Sequence, residues 1–201
     1  MNDQVWWFVA RSTGLVAYVL LGVAVIGGLL LSARPFGRTP PPEWTLDWHR
    51  FVGALSVVFT AVHLIAIYAD SYIEFGLDDL FVPFASEWRP VAVGLGVLAL
   101  YLLLAVEITS LLRRRLSRRL WRRVHYLSVP TFALATAHLL MAGDDASNSI
   151  VLLTVGVLIG ATALLLGFRI VSSQRRRDAS LEQRDTDGSR RPVEAEQERR
   201  Q

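Results

Sequence analysis

LDWHRFVGALSVVFTAVHLIAIY, residues 46–68, and LWRRVHYLSVPTFALATAHLLM, residues 120–141, hold all four histidines of the chain. His49 and His63 lie 14 residues apart in the first stretch, and His125 and His138 lie 13 apart in the second. On a helix each interval spans roughly 20 Å. That is too far for a single metal site and suits two sites stacked along the helix axis. Both stretches are apolar enough to cross a bilayer, where an ionisable side chain marks a functional site by default.

Working outward, five apolar runs reach the length of about 20 residues that a span needs: residues 9–32, 49–69, 91–112, 120–141 and 150–172. The fold class expected is therefore all-α, an integral membrane helical bundle of about five spans. Residues 1–173 would form the bundle and residues 174–201 a disordered cytoplasmic tail, because the tail has almost no apolar residues to bury. The first run reads as a retained helix and not a signal peptide, for it lacks a basic leader and a small-residue cleavage site. All 21 basic residues are Arg, and they cluster beside the apolar runs, which speaks for membrane topology and against nucleic acid. Cysteine is absent, which excludes disulfides, thiolate metal sites and thioether-linked haem.

Loop charges orient the bundle. Arg113, Arg114, Arg115, Arg118, Arg119, Arg122 and Arg123 crowd the third connection, Arg34, Arg38 and Arg50 surround the first, and Arg175, Arg176 and Arg177 follow the fifth span. The second connection carries Asp70, Glu74, Asp78, Asp79 and Glu87 against Arg89, and the fourth carries Asp144 and Asp145. Basic connections stay in the cytoplasm. The expected localisation is the cell membrane, multi-pass, with the N-terminus outside and the C-terminus cytoplasmic.

Spans two and four then run parallel, so His49 stands level with His125 and His63 with His138. Two facing imidazoles can bind one iron from both sides of a porphyrin, and such a six-coordinate haem suits electron transfer. The cofactor expected is haem b, two per chain, with the four histidines as metal ligands. Gly53, Ser56 and Thr60 on span two, and Ser128, Ala133, Ala135, Thr136 and Ala137 on span four, leave room for a flat ring. A separation of 13 does not return to the same helical face, so the fourth span should be kinked or overwound between its histidines, with Pro130 as the agent. The competing reading, histidines as hydrogen-bonding glue between helices, makes the chain a haem-free transporter or scaffold.

The two quoted stretches resemble the ferric-reductase-like transmembrane domain, a family that includes ferric reductases, NADPH oxidases and the haem-b subunit serving a periplasmic methionine sulfoxide reductase. The resemblance covers roughly residues 5 to 142 and carries the paired ligand pattern onto His49, His63, His125 and His138. It implies the membrane electron-transfer part of an oxidoreductase. Family members commonly have six spans against the five counted here. The cytoplasmic FAD and NAD(P)H module of the larger relatives has no counterpart in the tail, which shows no Gly-rich dinucleotide fingerprint.

The expected function is a transmembrane b-type cytochrome. It would take electrons from a cytoplasmic flavoprotein or quinol and pass them to an external acceptor or redox partner. The alternative is a haem-bearing anchor subunit of a partner reductase. Arg11 reads either as an interfacial cation that snorkels beside Trp6, Trp7 and Phe8 or as a partner for a propionate of the outer haem. Arg50, Arg122 and Arg123 offer the same choice at the inner haem. Glu107 reads as a snorkelling carboxylate or as part of a proton route. Trp44, Trp48, Trp88 and Trp121 read as interface anchors, and Gly156 and Gly160 as a GxxxG pair in span five. A topology reporter fused after the C-terminus is expected to read cytoplasmic, and one placed within residues 70–89 external; the reverse pattern would invert the proposed orientation.

Overall fold

The computed structural model describes residues 3–33, 42–71, 73 and 75–198, with the side chains of residues 3, 4, 33, 42 and 175–198 left out. Arg34, Arg38 and Glu74, and the side chains of Arg175, Arg176 and Arg177, thus lie outside the described residues. The described residues form helices joined by turns and short irregular links, with no strand among them, as a chain in hydrocarbon requires, because helices satisfy their own backbone groups. The elements are α1 (Asp3–Ala33), α2 (Pro42–Ala69), α3 (Leu77–Phe81), α4 (Pro90–Leu111), α5 (Arg118–His125), α6 (Ser128–Ala142), a 3-10 turn (Asp144–Ser147) and α7 (Ser149–Glu198). Five stretches are long and apolar enough to span: Val5–Ser32, Glu43–Ala69, Pro90–Leu111, Arg118–Ala142 and Ser149–Gln174.

α1 is the organising helix. It packs along α2 and also against α6 and α7, while α4 packs against α5 and α6. α2 does not pack closely on α5 or α6, so the two histidine-bearing spans face each other across a gap. The apolar core lies beside that gap, where Tyr18, Leu21, Val25 and Leu29 of α1 meet Leu103, Phe132, Val155 and Leu158. Tyr18 stacks on Phe132, and its hydroxyl bonds Thr136 at 3.1 Å.

The fourth span is two helices. α5 ends at His125 and α6 begins at Ser128, with Tyr126 and Leu127 in a turn. Pro130 has no N–H for the Tyr126 carbonyl, four residues back, which takes the Val129 N–H at 3.4 Å instead. The Leu127 N–H likewise reaches back only three residues, to Val124, at 2.9 Å. Tyr126 (φ −67°, ψ −16°) and Leu127 (φ −66°, ψ −12°) both stay right-handed helical, so the span is tightened into three-residue turns just before Pro130, the overwinding that a 13-residue histidine interval calls for. Ser117 caps α5 by accepting the Leu120 N–H at 3.2 Å.

α7 is the longest helix among the described residues. Its helical backbone runs past residue 173 as far as Glu198, through the stretch expected to be disordered. The Arg, Glu and Gln residues there lose little rotamer freedom in a helix. Gly156 and Gly160 have no heavy atom of another element within 4 Å of a would-be Cβ, so none of the described helices packs on them.

At the acidic end, charged residues tie the spans together. Arg89 adopts φ 45°, in the left-handed region, ahead of Pro90. Its guanidinium donates to the Met141 and Ala142 carbonyls, 3.1 Å each, so the last turn of α6 is capped from α4. Arg11, the second basic residue at this end, lies over Trp7 and holds Asp145 through both Nε and Nη2, the Nε bond being 3.0 Å. Both partners are under a third exposed. In a double-mutant cycle with Arg11→Gln and Asp145→Asn, thermal unfolding in detergent should give a coupling of about 1 kcal/mol; strictly additive losses would mean that the pair does not tie α1 to the turn.

Candidate functional site

Each histidine sits where two helices meet. The His49 and His125 rings are 6.0 Å apart between centres, and the His63 and His138 rings 6.5 Å. The planes within each pair are close to perpendicular, at 81° and 76°. The four side chains thus stand as two level pairs across the gap between α2 and the fourth span, one toward the basic end and one toward the acidic end.

What aims the rings is backbone. His49 Nδ1 bonds the Ala24 carbonyl at 3.0 Å, His63 Nδ1 the Ala10 carbonyl at 2.7 Å, and His138 Nδ1 the Ala92 carbonyl at 2.8 Å. A carbonyl only accepts, so Nδ1 carries the proton in all three and Nε2 is left as a lone-pair donor. Four residues after each accepting alanine stands a glycine: Gly28, Gly14 and Gly96. A Cβ at Gly14 would come within 2.9 Å of His63, one at Gly96 within 2.7 Å of His138, and one at Gly28 within 3.3 Å of His49. The missing side chain one turn on is what lets an imidazole reach a carbonyl already engaged in its helix. These are Ala-x-x-x-Gly seats. Two lie on α1, 14 residues apart, matching the 14 between His49 and His63, so one antiparallel register of α1 on α2 serves both.

His125 differs. Counted 13 residues along α4 from Ala92, as His125 is from His138, the fourth seat would fall on Ala105 and position 109. Thr109 occupies the glycine position, and its own hydroxyl bonds the Ala105 carbonyl at 2.7 Å. His125 Nδ1 instead lies 3.4 Å from the Ser110 hydroxyl, and its ring stacks on Trp121 at 5.0 Å and 22°.

The donor set suits a porphyrin iron. A metal–imidazole bond of about 2 Å, with the ring centre about 1.2 Å behind the nitrogen, puts two trans imidazoles about 6 Å apart centre to centre. Both pairs stand at that spacing. Ligating histidines characteristically give their other N–H to a carbonyl. A cavity of about 270 Å³ lies between α1, α2, α4 and α6, lined by Gly14, Thr60, His63, Gly96, Ala135 and His138 among others. No group of three or more His, Cys, Asp and Glu is clustered for a metal ion among the described residues, which argues against a zinc or di-iron centre.

The other expected residues are placed less centrally. Arg11 lines the mouth of the cavity but is committed to Asp145. Arg50 is exposed and lies 3.5 Å from Asp47, one turn away on its own helix. Arg122 and Arg123 are exposed on α5. Glu107 faces Gly53, its Oε2 3.9 Å from a would-be Cβ there. Ser56 is fully buried and bonds the Gly53 carbonyl at 2.7 Å, and Thr60 and Ala135 line the cavity, whereas Ala133 is exposed. Ala10, Ala24 and Ala92, with their glycines, were not expected from sequence; the matching 14-residue intervals on spans one and two are the signal that could have found two of the three.

The family described as Ferric reductase like transmembrane component matches residues 13–136. The chain is also similar to the protein-methionine-sulfoxide reductase heme-binding subunit MsrQ of Rhodospirillum rubrum, at 32% identity over 162 residues, which is 75% of this chain and 71% of the relative. No solved structure matches the chain.

The seats make a graded prediction. Gly96→Ala and Gly14→Ala force the imidazole off its carbonyl and should each cost about 1–3 kcal/mol of stability, as overpacking does. Gly28→Ala, with more room, should cost less. Thermal unfolding of the purified protein in detergent reads the order, and equal losses at all three would refute the seat.

Proposed function

Because the chain belongs to the ferric reductase like transmembrane family, we propose that it is a haem-carrying membrane subunit that relays electrons to a separate reductase. The observation that carries the reading is the pair of level imidazole sets, three of the four rings with Nδ1 fixed on a carbonyl and Nε2 left free. The named function of the relative, a heme-binding subunit of a reductase, supports a partner enzyme as the acceptor.

In this reading His49 and His125 hold one haem b and His63 and His138 the other. When bound, haem b supplies a one-electron carrier. The protein's own contribution is orientation and exclusion. The alanine carbonyls fix the tautomer and aim of His49, His63 and His138, and raise their basicity as ligands. His49 with His125, and His63 with His138, would hold the haem iron, which would supply electron transfer without binding a substrate. The surrounding apolar helices keep water from the sites, and two sites roughly 20 Å apart along the helices divide the bilayer into shorter transfer steps.

Direction follows from charge. With the Arg-rich end in the cytoplasm, the His49–His125 site faces a flavoprotein or quinol donor, and the exposed Arg113, Arg114, Arg115, Arg118 and Arg119 offer a basic surface to an acidic one. The His63–His138 site faces the acceptor, and residues 174–201 lie on the donor side.

The purified protein is expected to show a low-spin b-type spectrum. Its near-perpendicular ligand planes should give a strongly axial electron paramagnetic resonance signal with a large maximum g value. Loss of His49 and His125 together should remove about half of the low-spin haem and leave the rest, and loss of His63 and His138 should remove the complementary half. Haem content and spectrum unchanged by either double substitution would sink the ligand assignment.

A further inference from the structure

Four imidazoles face one another in two pairs, yet they are not held alike. His49, His63 and His138 are each fixed by a carbonyl at 2.7–3.0 Å. His125 has no carbonyl. Thr109 fills the place where a seat glycine would stand and takes the Ala105 carbonyl itself. The nearest polar partner is the Ser110 hydroxyl, which donates to the Val106 carbonyl at 2.7 Å and so can only accept the Nδ1–H, from 3.4 Å, at the far limit of a hydrogen bond. His125 is also the last residue of α5, next to the tightened turn at Tyr126 and Leu127.

What does hold the ring is Trp121, one turn earlier on α5, stacked on it at 5.0 Å with 22° between planes. Residues four apart on a helix meet on one face. The Arg113 guanidinium lies over the same indole, 4.8 Å from its centre. Trp121 does not behave as the interface anchor that its position suggests. An anchoring tryptophan keeps its N–H wet or bonded, whereas Trp121 Nε1 is buried and has no hydrogen-bond partner among the described residues. Its ring faces, and not its polar atom, account for where it sits.

We propose that Trp121 is the positioning residue of the His49–His125 haem site, holding by ring stacking the one ligand imidazole that no helix carbonyl anchors. The proposal rests on the haem-ligand reading given above. It makes the two sites unequal. The site at the acidic end is locked by two carbonyl seats, and the site at the basic end is closed on one side by a seat and on the other by an aromatic clamp. Removal of the clamp frees His125 to leave the iron, which opens an axial position to an added ligand. Loss of packing alone at a distance would not open that position.

Carbon monoxide is the probe, because it binds a reduced haem only where an axial position is free. The full-length haem-loaded protein, reduced in detergent, is titrated with carbon monoxide as the parent and as four variants. The parent should not bind. His125→Ala should bind at one site and defines the full signal. Trp121→Leu should reach about half of that signal or more, with the low-spin signal of the other site intact, whereas Trp121→Phe, which keeps a stacking ring but no N–H, should stay closed like the parent. Trp121→Met, similar in bulk but without a ring, should open the site and serves if Trp121→Leu does not accumulate. If His125→Ala binds carbon monoxide and the ringless variants remain closed, the ligand reading stands and the clamp is refuted. If His125→Ala itself stays closed, His125 is not an axial ligand and both readings fall.

Discussion

An imidazole N–H inside a bilayer must find an acceptor, and helices in hydrocarbon offer few, because their carbonyls are already spent on their own turns. The Ala-x-x-x-Gly seat answers this constraint. Without a side chain at the glycine, the carbonyl one turn back is open to a second donor, and an imidazole from the neighbouring helix takes it. Much of the bundle follows from three such bonds. They bring α1 along α2 and α4 along α6, they decide which ring nitrogen keeps its proton, and they turn each free Nε2 away from the seat. The gap between α2 and the fourth span is the geometric remainder, since both histidine-bearing spans lean on other helices and not on each other.

Charged residues play a different part. Arg11 with Asp145, and Arg89 with the end of α6, close the acidic end of the bundle, while the Arg-rich α5 and the connection before it occupy the other. Of the arginines expected near the haems, Arg11 borders the cavity. Arg11 spends its guanidinium on Asp145 and Trp7, and Arg50 on its neighbour Asp47. The side chains that set the site are small or apolar, and the polar contacts that matter are made by main chain.

That division explains what could be read from the sequence. Five spans are legible because apolar length alone announces a membrane helix, and the level pairing of His49 with His125 and His63 with His138 is legible because rise per residue is constant. The carbonyls of Ala10, Ala24 and Ala92 leave no trace in residue chemistry, since every residue has one. Only the glycine one turn later marks them, and a glycine in a membrane helix has many other uses. Pro130 announces a disturbance in the fourth span but not its kind, because whether a helix bends or breaks depends on what the freed carbonyl finds nearby. Trp121 was legible as an aromatic near a basic loop, which is the commonest context for an interface residue; only the burial of its N–H and the ring beside it say otherwise.

The two seats on α1 also act as a vernier. Each is paired with one histidine of α2, and the intervals on the two helices are the same 14 residues. A slip of α1 along α2 by a turn would misplace both imidazoles at once and strand two N–H groups in hydrocarbon; a slip by the full 14 could recover only one. A single alignment therefore satisfies both bonds, and near misses gain nothing from half a match. The hairpin of the first two spans thus carries its own proof of correct register.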